Sequence, residues 1–581
     1  MRAGDGGKRY ASRDSTTLLA ALITTLGVAV LYLTNAAAGG SFALRGLPLD
    51  DAWIHQVYAR SAALGRPFQY NPGEWETGST SPLWSLLLAP GHWMGAPVAF
   101  AKALGVLCVA AAAFVGARLV RRFAGNGAAL GFAVALPLLP HVSFAAVSGM
   151  EVGLILLLTL LTAECALGRR WTRAALFAGL AILARPEASI LLPLLCLSIF
   201  LRTDRAAASA GWKSEVATAH RNSRNDAART VLVAAVVTLP WLMYCLVVSG
   251  RPLPATVYAK SSWLLPSLLH QLRVLAGSLG FQPLLGFSFG DAWLQAISGV
   301  LGIVAMVLGA RRVLREGGKS SLALVAGFPA LYMAGLLFAV PLGSPLPPDR
   351  PGSALNFYFA RYLVPALPLL LALWVAGISE IAQLVSARAS SRDIPRKDSK
   401  DSKDPVDRAF LSSFAVLSND GSKWRLLALL PLLALPVAST MQALPRLASI
   451  YSWNCRNIED QQVAAGRWID ANVPPNQSVW VSDAGAIRYF GNHRVVDLVG
   501  LNAHRLLPLV QAAEAAPRES AEQIALRDRF WSEEQPTWFA ITRGWHGALL
   551  AGKMVELEHS IEIENNTICA GSEILILKAA R

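Results

Sequence analysis

Apolar runs of about 20 residues, each closed by a short polar or basic group, recur through the first three quarters of the chain. Twenty helical residues rise about 30 Å, the thickness of a bilayer's hydrocarbon core. The runs predict spans at about 17–36, 99–120, 127–145, 152–168, 172–184, 188–201, 230–249, 292–310, 321–340, 362–380 and 425–444. Past about 450 the pattern changes. Residues 458–471 repeat apolar positions at helical spacing, and 478–483, 494–499, 537–541 and 572–578 read as short strands. The pattern therefore predicts a polytopic α-helical membrane protein of about eleven spans (1–449), followed by an α/β domain (450–581).

Composition agrees: 54% of the 581 residues are hydrophobic and 15% are charged, against about 25% charged in soluble domains. Mean hydropathy is +0.42. The net charge of +14 does not imply nucleic-acid binding, because the cations sit in short clusters between apolar runs with no interleaved aromatic stripe. Arg121–Arg122, Arg169–Arg170–Arg173, the 202–229 loop, Arg311–Arg312–Arg315–Lys319 and the 388–424 loop mark cytoplasmic connections. With a basic, cytoplasmic N-terminus, eleven crossings put the C-terminal domain outside. The first run is long for a signal peptide and reads as a retained span.

Two segments test this count. Residues 82–97 are apolar but short, with Pro90 and Gly91 inside, and read as an interfacial helix of the outer loop 37–98. Residues 174–201 are either one kinked helix or a hairpin turning at Arg185-Pro186-Glu187. Basic clusters at both ends favour the hairpin. The repeat Lys397-Asp-Ser-Lys-Asp-Ser-Lys-Asp404 makes 388–424 a cytoplasmic disordered linker. Cys455 and Cys569 share the outer tail, and a disulfide between them is as open as its absence.

Under this topology four polar islands meet on the outer face. They are Leu49-Asp50-Asp51-Ala-Trp-Ile-His55 with Tyr70–Thr77, Ser148-Gly-Met-Glu151, Leu253–Lys260, and Asn356–Tyr362. Adjacent carboxylates at a bilayer edge are costly unless solvated, paired or metal-bound, and they raise one another's proton affinity, which suits a general base. The plain alternative is that Asp50 or Asp51 only caps the helix that begins near Trp53. Glu151 is either a site residue or a solvated interfacial acid. Arg185 and Glu187 could form only a turn with an internal ion pair. Lys260 and Arg361 either snorkel to headgroups or hold a phosphate. His55 lies one turn from Asp51, as a polar face residue or a ligand.

These strings together resemble the GT-C glycosyltransferases. The resemblance is nearest to a bacterial branch related to protein O-mannosyltransferases, lipid A aminoarabinose transferase and the mycobacterial terminal arabinofuranosyltransferase. It is carried by Asp50-Asp51-Ala-Trp-Ile…Tyr58-Ala-Arg60, Tyr70-Asn-Pro-Gly-Glu74, Thr80-Ser-Pro-Leu-Trp84, Ser148-Gly-Met-Glu151, Leu183-Ala-Arg-Pro-Glu187, Pro254-Ala-Thr…Lys260 and Arg361-Tyr-Leu-Val-Pro365. Cys455-Arg-Asn-Ile…Gly466-Arg-Trp-Ile and Asp483-Ala-Gly-Ala-Ile-Arg-Tyr-Phe…Val496-Asp-Leu-Val-Gly-Leu501 carry it in the tail.

The resemblance implies an inverting transferase. It would move a monosaccharide, hexose or pentose, from a polyprenyl-phosphate donor to a hydroxyl of a cell-envelope glycan, lipid or protein. The reaction would take place at the outer face of a bacterial inner membrane. By position Asp50 or Asp51 matches the activating acid, with Asp50 slightly favoured, and Glu151 matches a second outer-loop carboxylate. Lys260, Arg361 and Arg185 would neutralise the departing phosphate, with Tyr258, Tyr362 and His55 around the donor. No cofactor is required, although Asp50 and Asp51 beside a phosphate can hold a divalent cation. The rival from another class is a transporter or lipid flippase, which calls for internal repeats and mid-bilayer charges.

Overall fold

The computed structural model describes residues 4–209, 213–260, 292–339, 361–390, 441 and 443–580. The chain opens with α1 (Gly4–Leu33), followed by a loop carrying α2 (Asp50–Ala63), the hairpin β1 (Gln69–Asn71) and β2 (Glu74–Trp75), and α3 (Pro82–Trp93). The helical body continues through α4 (Pro97–Leu138), α5 (Pro140–Val147), α6 (Val152–Leu167), α7 (Trp171–Ala184), α8 (Leu191–Ser209) and α9 (Lys213–Ser249). Short α10 (Ala255–Lys260), then α11 (Ala292–Val325), α12 (Gly327–Ala339) and α13 (Leu367–Ser390) complete it among the described residues. Helix α13 runs past the span expected at 362–380 into the first residues of the expected linker. Most of that linker, most of the last expected span (425–444), and Asn356 and Tyr358 lie outside the described residues.

Six described helices are long and apolar enough to cross a membrane, or seven if the bent pair α5–α6 counts as one span. The expected figure was about eleven, and helices and crossings differ here for a physical reason. Helix α4 is broken at Gly125, whose φ of +83° belongs to the left-handed region open to glycine. A methyl group on Gly116 would enter the Phe132 ring, yet in a straight helix those residues would stand about 24 Å apart. The chain therefore folds back at Gly125, between the runs expected at 99–120 and 127–145. Gly318 breaks α11 in the same way (φ +72°) between the runs expected at 292–310 and 321–340. Helix α7, with 14 residues, falls short of a full span.

The hairpin around Arg185 is present. Pro186 ends α7, and a 3-10 turn (Pro186–Ile190) leads into α8. Arg185 reaches Glu151 at the head of α6, at 2.7 Å. Arg202, on α8, donates to the Leu167 carbonyl at the foot of α6, at 3.3 Å. Helices α7 and α8 thus travel the length of α6 in opposite directions. Helix α3, with 12 residues, would rise only about 18 Å; it packs beside α2 rather than crossing.

The tail is an α/β unit. Its strands are β3 (Val479–Val481), β4 (Val495–Asp497), β5 (Trp538–Thr542), β6 (Val555–Glu562) and β7 (Glu573–Ala579), in the order β4-β3-β5-β7-β6. The first three pair in parallel, and β5-β7-β6 are antiparallel. Four of these strands fall on the predicted runs. The polar, exposed edge strand β6 was not legible as an apolar run. Helices α14 (Ala464–Asn472), α15 (Ala486–Phe490), α16 (Leu507–Ala515) and α17 (Ala521–Glu534) accompany the sheet. Cys455 and Cys569 are not joined to each other: Cys455 packs against Gly46, and Cys569 meets the Gln462 side chain at 3.4 Å.

This arrangement predicts the labelling pattern of single cysteines in intact cells. Cysteines at 73 and 519 should react with an impermeant reagent. Cysteines at 169 and 319 should react only after the membrane is opened. A mixed pattern within either pair would break the topology.

Candidate active site

The two adjacent aspartates have different work. Leu49, in extended backbone, precedes α2, and Asp50 and Asp51 occupy its first turn, where the helix dipole favours carboxylates. Asp50 does not spend its oxygens on its own helix. Its Oδ2 accepts the Gly485 amide at 2.8 Å, and its Oδ1 accepts the Ala486 amide at 2.7 Å. These amides open α15 in the tail, so Asp50 ties the C-terminal unit to the loop that carries α2. A Cβ on Gly485 would stand 2.8 Å from both Asp50 carboxylate oxygens. Only glycine lets the backbone come this near.

The tie lies within a wider dock. The Trp53 ring packs 4.9 Å from Tyr489 and 4.9 Å from Phe490. Arg60 donates to the Tyr489 carbonyl at 2.8 Å. Tyr58 reaches Asn502 at 2.8 Å, and Tyr70 reaches the Ala484 carbonyl at 2.6 Å. Asn71 pairs with Val495 through both its amide nitrogen and its oxygen. The motif strings of the loop and of the tail are thus the two halves of one interface.

Asp51 turns the other way and pairs with Arg361. Arg361 is 1% exposed and Asp51 is 18% exposed. Next to them, Arg185 bonds Glu151 at 2.7 Å and Glu187 at 3.1 Å. The Tyr362 ring lies between the two guanidinium groups, 5.0 Å from that of Arg185 and 5.2 Å from that of Arg361. Such ring–cation contacts are favourable where water is excluded. Glu151 is buried, and its second oxygen lies 3.2 Å from His55 Nε2. His55 Nδ1 meets Ser85 Oγ at 3.1 Å, and Ser85 meets Ser79 at 3.2 Å. Trp84 Nε1 donates to the Gly149 carbonyl at 2.9 Å and so fixes the loop that presents Glu151.

Of the residues singled out from sequence, Asp51, Glu151, Arg185, Arg361, Tyr362 and His55 form one connected set, with Asp50 at its edge. Capping of their own helix accounts for neither aspartate. Tyr258 lies elsewhere: its ring packs under Arg251 at 4.9 Å, and its carbonyl accepts from Gln511 on α16. Lys260 ends α10, and its side chain lies outside the described residues. Among the described residues no group of three or more His, Cys, Asp or Glu is arranged to hold a metal. A divalent ion shared by Asp50 and Asp51 would have to sit beside the two amides on Asp50 and compete with Arg361 for Asp51.

Sequence reasoning quoted Asp483 but gave it no role. It follows β3 and faces the aspartate pair from the tail. Burial, with the charges of Asp51 and Asp497, pushes its carboxyl up to about 6 against hydrogen bonds from Thr542 and Ser482. Burial and Asp483 likewise raise the proton affinity of Asp50, while the Ala486 and Gly485 amides oppose the rise. A signal was available in Ser-Asp-Ala-Gly-Ala, a polar turn straight after a buried strand. Its partner, 433 residues upstream of Asp483, was not legible.

The chain resembles solved structures along most of its length. ArnT from Cupriavidus metallidurans bound to undecaprenyl phosphate matches with a TM-score of 0.53 at 14% identity, over 96% of this chain and 98% of that one. The Archaeoglobus fulgidus oligosaccharyltransferase tethered with an acceptor peptide matches with a TM-score of 0.54 at 13% identity, over 91% of this chain and 68% of that one. The archaeal oligosaccharyltransferase AglB, in complex with an inhibitory peptide and a dolichol-phosphate, matches with a TM-score of 0.51 at 13% identity, over 92% and 69%. A family described as a domain of unknown function (DUF8728) matches residues 456–572. No curated protein matches the chain by sequence.

Two outcomes follow from the dock. Gly485→Ala should destabilise it by about 1–3 kcal/mol, the usual range for overpacking, read as faster proteolytic release of the tail. Cleavage at the wild-type rate would contradict the tie. Asp483, raised in the folded chain, favours folding in mild acid; its penalty grows as pH rises from about 4 and is complete above about 6. Melting should therefore occur at higher temperature at pH 5 than at pH 7, and Asp483→Asn should flatten that difference. An unchanged pH profile would remove Asp483 from the interface account.

In its helical body and C-terminal α/β unit, this multi-pass membrane protein shares the GT-C fold of these structures.

Proposed function

We propose that the chain is an inverting glycosyltransferase. In this reading it moves a monosaccharide from a polyprenyl-phosphate donor to a hydroxyl of a cell-envelope glycan, lipid or protein, at the outer face of a bacterial inner membrane. The observation that carries this is the paired set Asp51–Arg361 and Glu151–Arg185 around Tyr362, at the ends of apolar helices. A polyprenyl carrier stays in the bilayer, so its phosphate comes to such a boundary. The likeness to ArnT bound to undecaprenyl phosphate and to AglB with dolichol-phosphate supports this donor class.

Asp51 is the better candidate for the base. Asp50, the one favoured from sequence, holds two amides, whereas Asp51 is held by a cation that a phosphate can claim. When a donor phosphate engages Arg361, Asp51 is released to take a proton. The acceptor oxygen then bonds to the sugar C1 as its proton passes to Asp51. The bond from C1 to the phosphate oxygen breaks, and its electron pair leaves with the lipid phosphate. Arg361 and Arg185 stabilise that charge, and His55 holds Glu151 against Arg185. Fixed cations aimed at a developing charge supply much of such a rate. The charges sit at helix ends rather than midway along spans, which disfavours a transporter.

Purified protein should transfer sugar from a synthetic polyprenyl-phosphate monosaccharide drawn from a hexose and pentose panel. Asp51→Asn should cut the rate at least about 100-fold, within the range for a lost general base, while inserting normally. A double variant Asp50→Asn/Asp51→Asn with full activity would end the proposal.

A further inference from the structure

A second polar cavity lies at the other end of α6. Glu151 stands just before the first residue of that helix and Arg169 just after its last, and its 16 residues rise about 24 Å. The cavity there has a volume of about 490 Å³ and is lined by Arg122, Arg169, Arg202, Lys319, Ser320 and Glu316, with Phe123, Leu167 and Leu201 as its apolar wall. Four of the basic groups read from the sequence therefore converge on one cleft.

Its charge is poorly compensated from within. Glu316, the one carboxylate in the lining, already faces Arg315 at 3.4 Å. Arg202 spends its donors on neutral oxygens, Ser320 Oγ at 2.7 Å and the Leu167 carbonyl at 3.3 Å. Arg169 and Arg122 are its charged neighbours. Arg122 has a partner in Glu164 at 2.8 Å. Arg169 and Lys319 are exposed at the mouth. Ser198 braces Ser320 at 2.6 Å, so the Arg202 contact belongs to a built wall rather than to a loose surface patch.

The place of the cleft indicates its ligand. The apolar stretches of α4, α6, α8 and α11 all end at or break beside it, which sets it at the polar boundary of the bilayer. A phosphate there comes on a lipid, with chains that can lie along the apolar wall. Guanidinium forks suit phosphate oxygens, and basic pockets between spans on the cytoplasmic side suit anionic headgroups. We propose that this cleft binds the phosphate headgroup of an anionic lipid of the inner leaflet, at a site separate from the acidic centre.

The test uses the full chain in neutral detergent with dioctanoyl phosphatidate as the probe. Dioctanoyl phosphatidylcholine and inorganic phosphate serve as the comparisons. Phosphatidate should raise the melting temperature saturably, as a ligand of the folded state does, and phosphatidylcholine should not. Arg169→Gln/Lys319→Gln, both exposed positions, should weaken the apparent affinity at least tenfold with an unchanged elution volume. Lys319→Arg should keep it. Equal binding by the double variant would overturn the site, and equal protection by inorganic phosphate would overturn the lipid assignment.

Discussion

The contact on which the rest depends is the clasp of the Asp50 carboxylate on the backbone amides of Gly485 and Ala486. It joins two parts of the chain with different architectures: the loop that carries α2 and the C-terminal α/β unit. Charge-assisted bonds to backbone amides fix direction as well as distance. Once Asp50 is committed, α2 cannot rotate about its axis, and Asp51 must face inward toward Arg361. The aromatic packing of Trp53 on Tyr489 and Phe490 adds an apolar contact between the same two parts of the chain.

The inward side sets two guanidinium groups, Arg361 and Arg185, against Asp51, Glu151 and Glu187, with both arginines and Glu151 buried. Removing one partner of a buried ion pair commonly costs 3–5 kcal/mol, because the other is left unpaired. A ligand bearing its own negative charge avoids that cost by replacing the carboxylate it displaces. This property makes Asp51–Arg361 suited to a phosphate-bearing donor: binding the leaving group and freeing the base become the same event. Glu151, doubly held by Arg185 and His55, has no such freedom and is better suited to hold position.

Much of the fold was legible because spans and strands announce themselves by period and length. The helices broken at Gly125 and Gly318 carry runs that the sequence separates correctly, since a basic group and a glycine stand at each break. The polar turn at Arg185–Glu187 was legible for the same reason. The site was legible as a collection, because charges at span ends are costly enough to imply partners. The division of labour between Asp50 and Asp51 was not. Adjacent positions point about 100° apart on a helix, and which one meets the tail depends on a dock 435 residues away. Tyr258 was assigned to the donor through its motif alone, and its ring packs under Arg251.

The central claim is that the donor phosphate takes Arg361 from Asp51, and a structure of the full chain with a polyprenyl phosphate bound tests it most directly. The account predicts a phosphate oxygen within hydrogen-bonding distance of Arg361, the Asp51 carboxylate released toward the aqueous side, and Asp50 still on its two amides. A lipid phosphate seated elsewhere, with the Asp51–Arg361 pair intact, would contradict it.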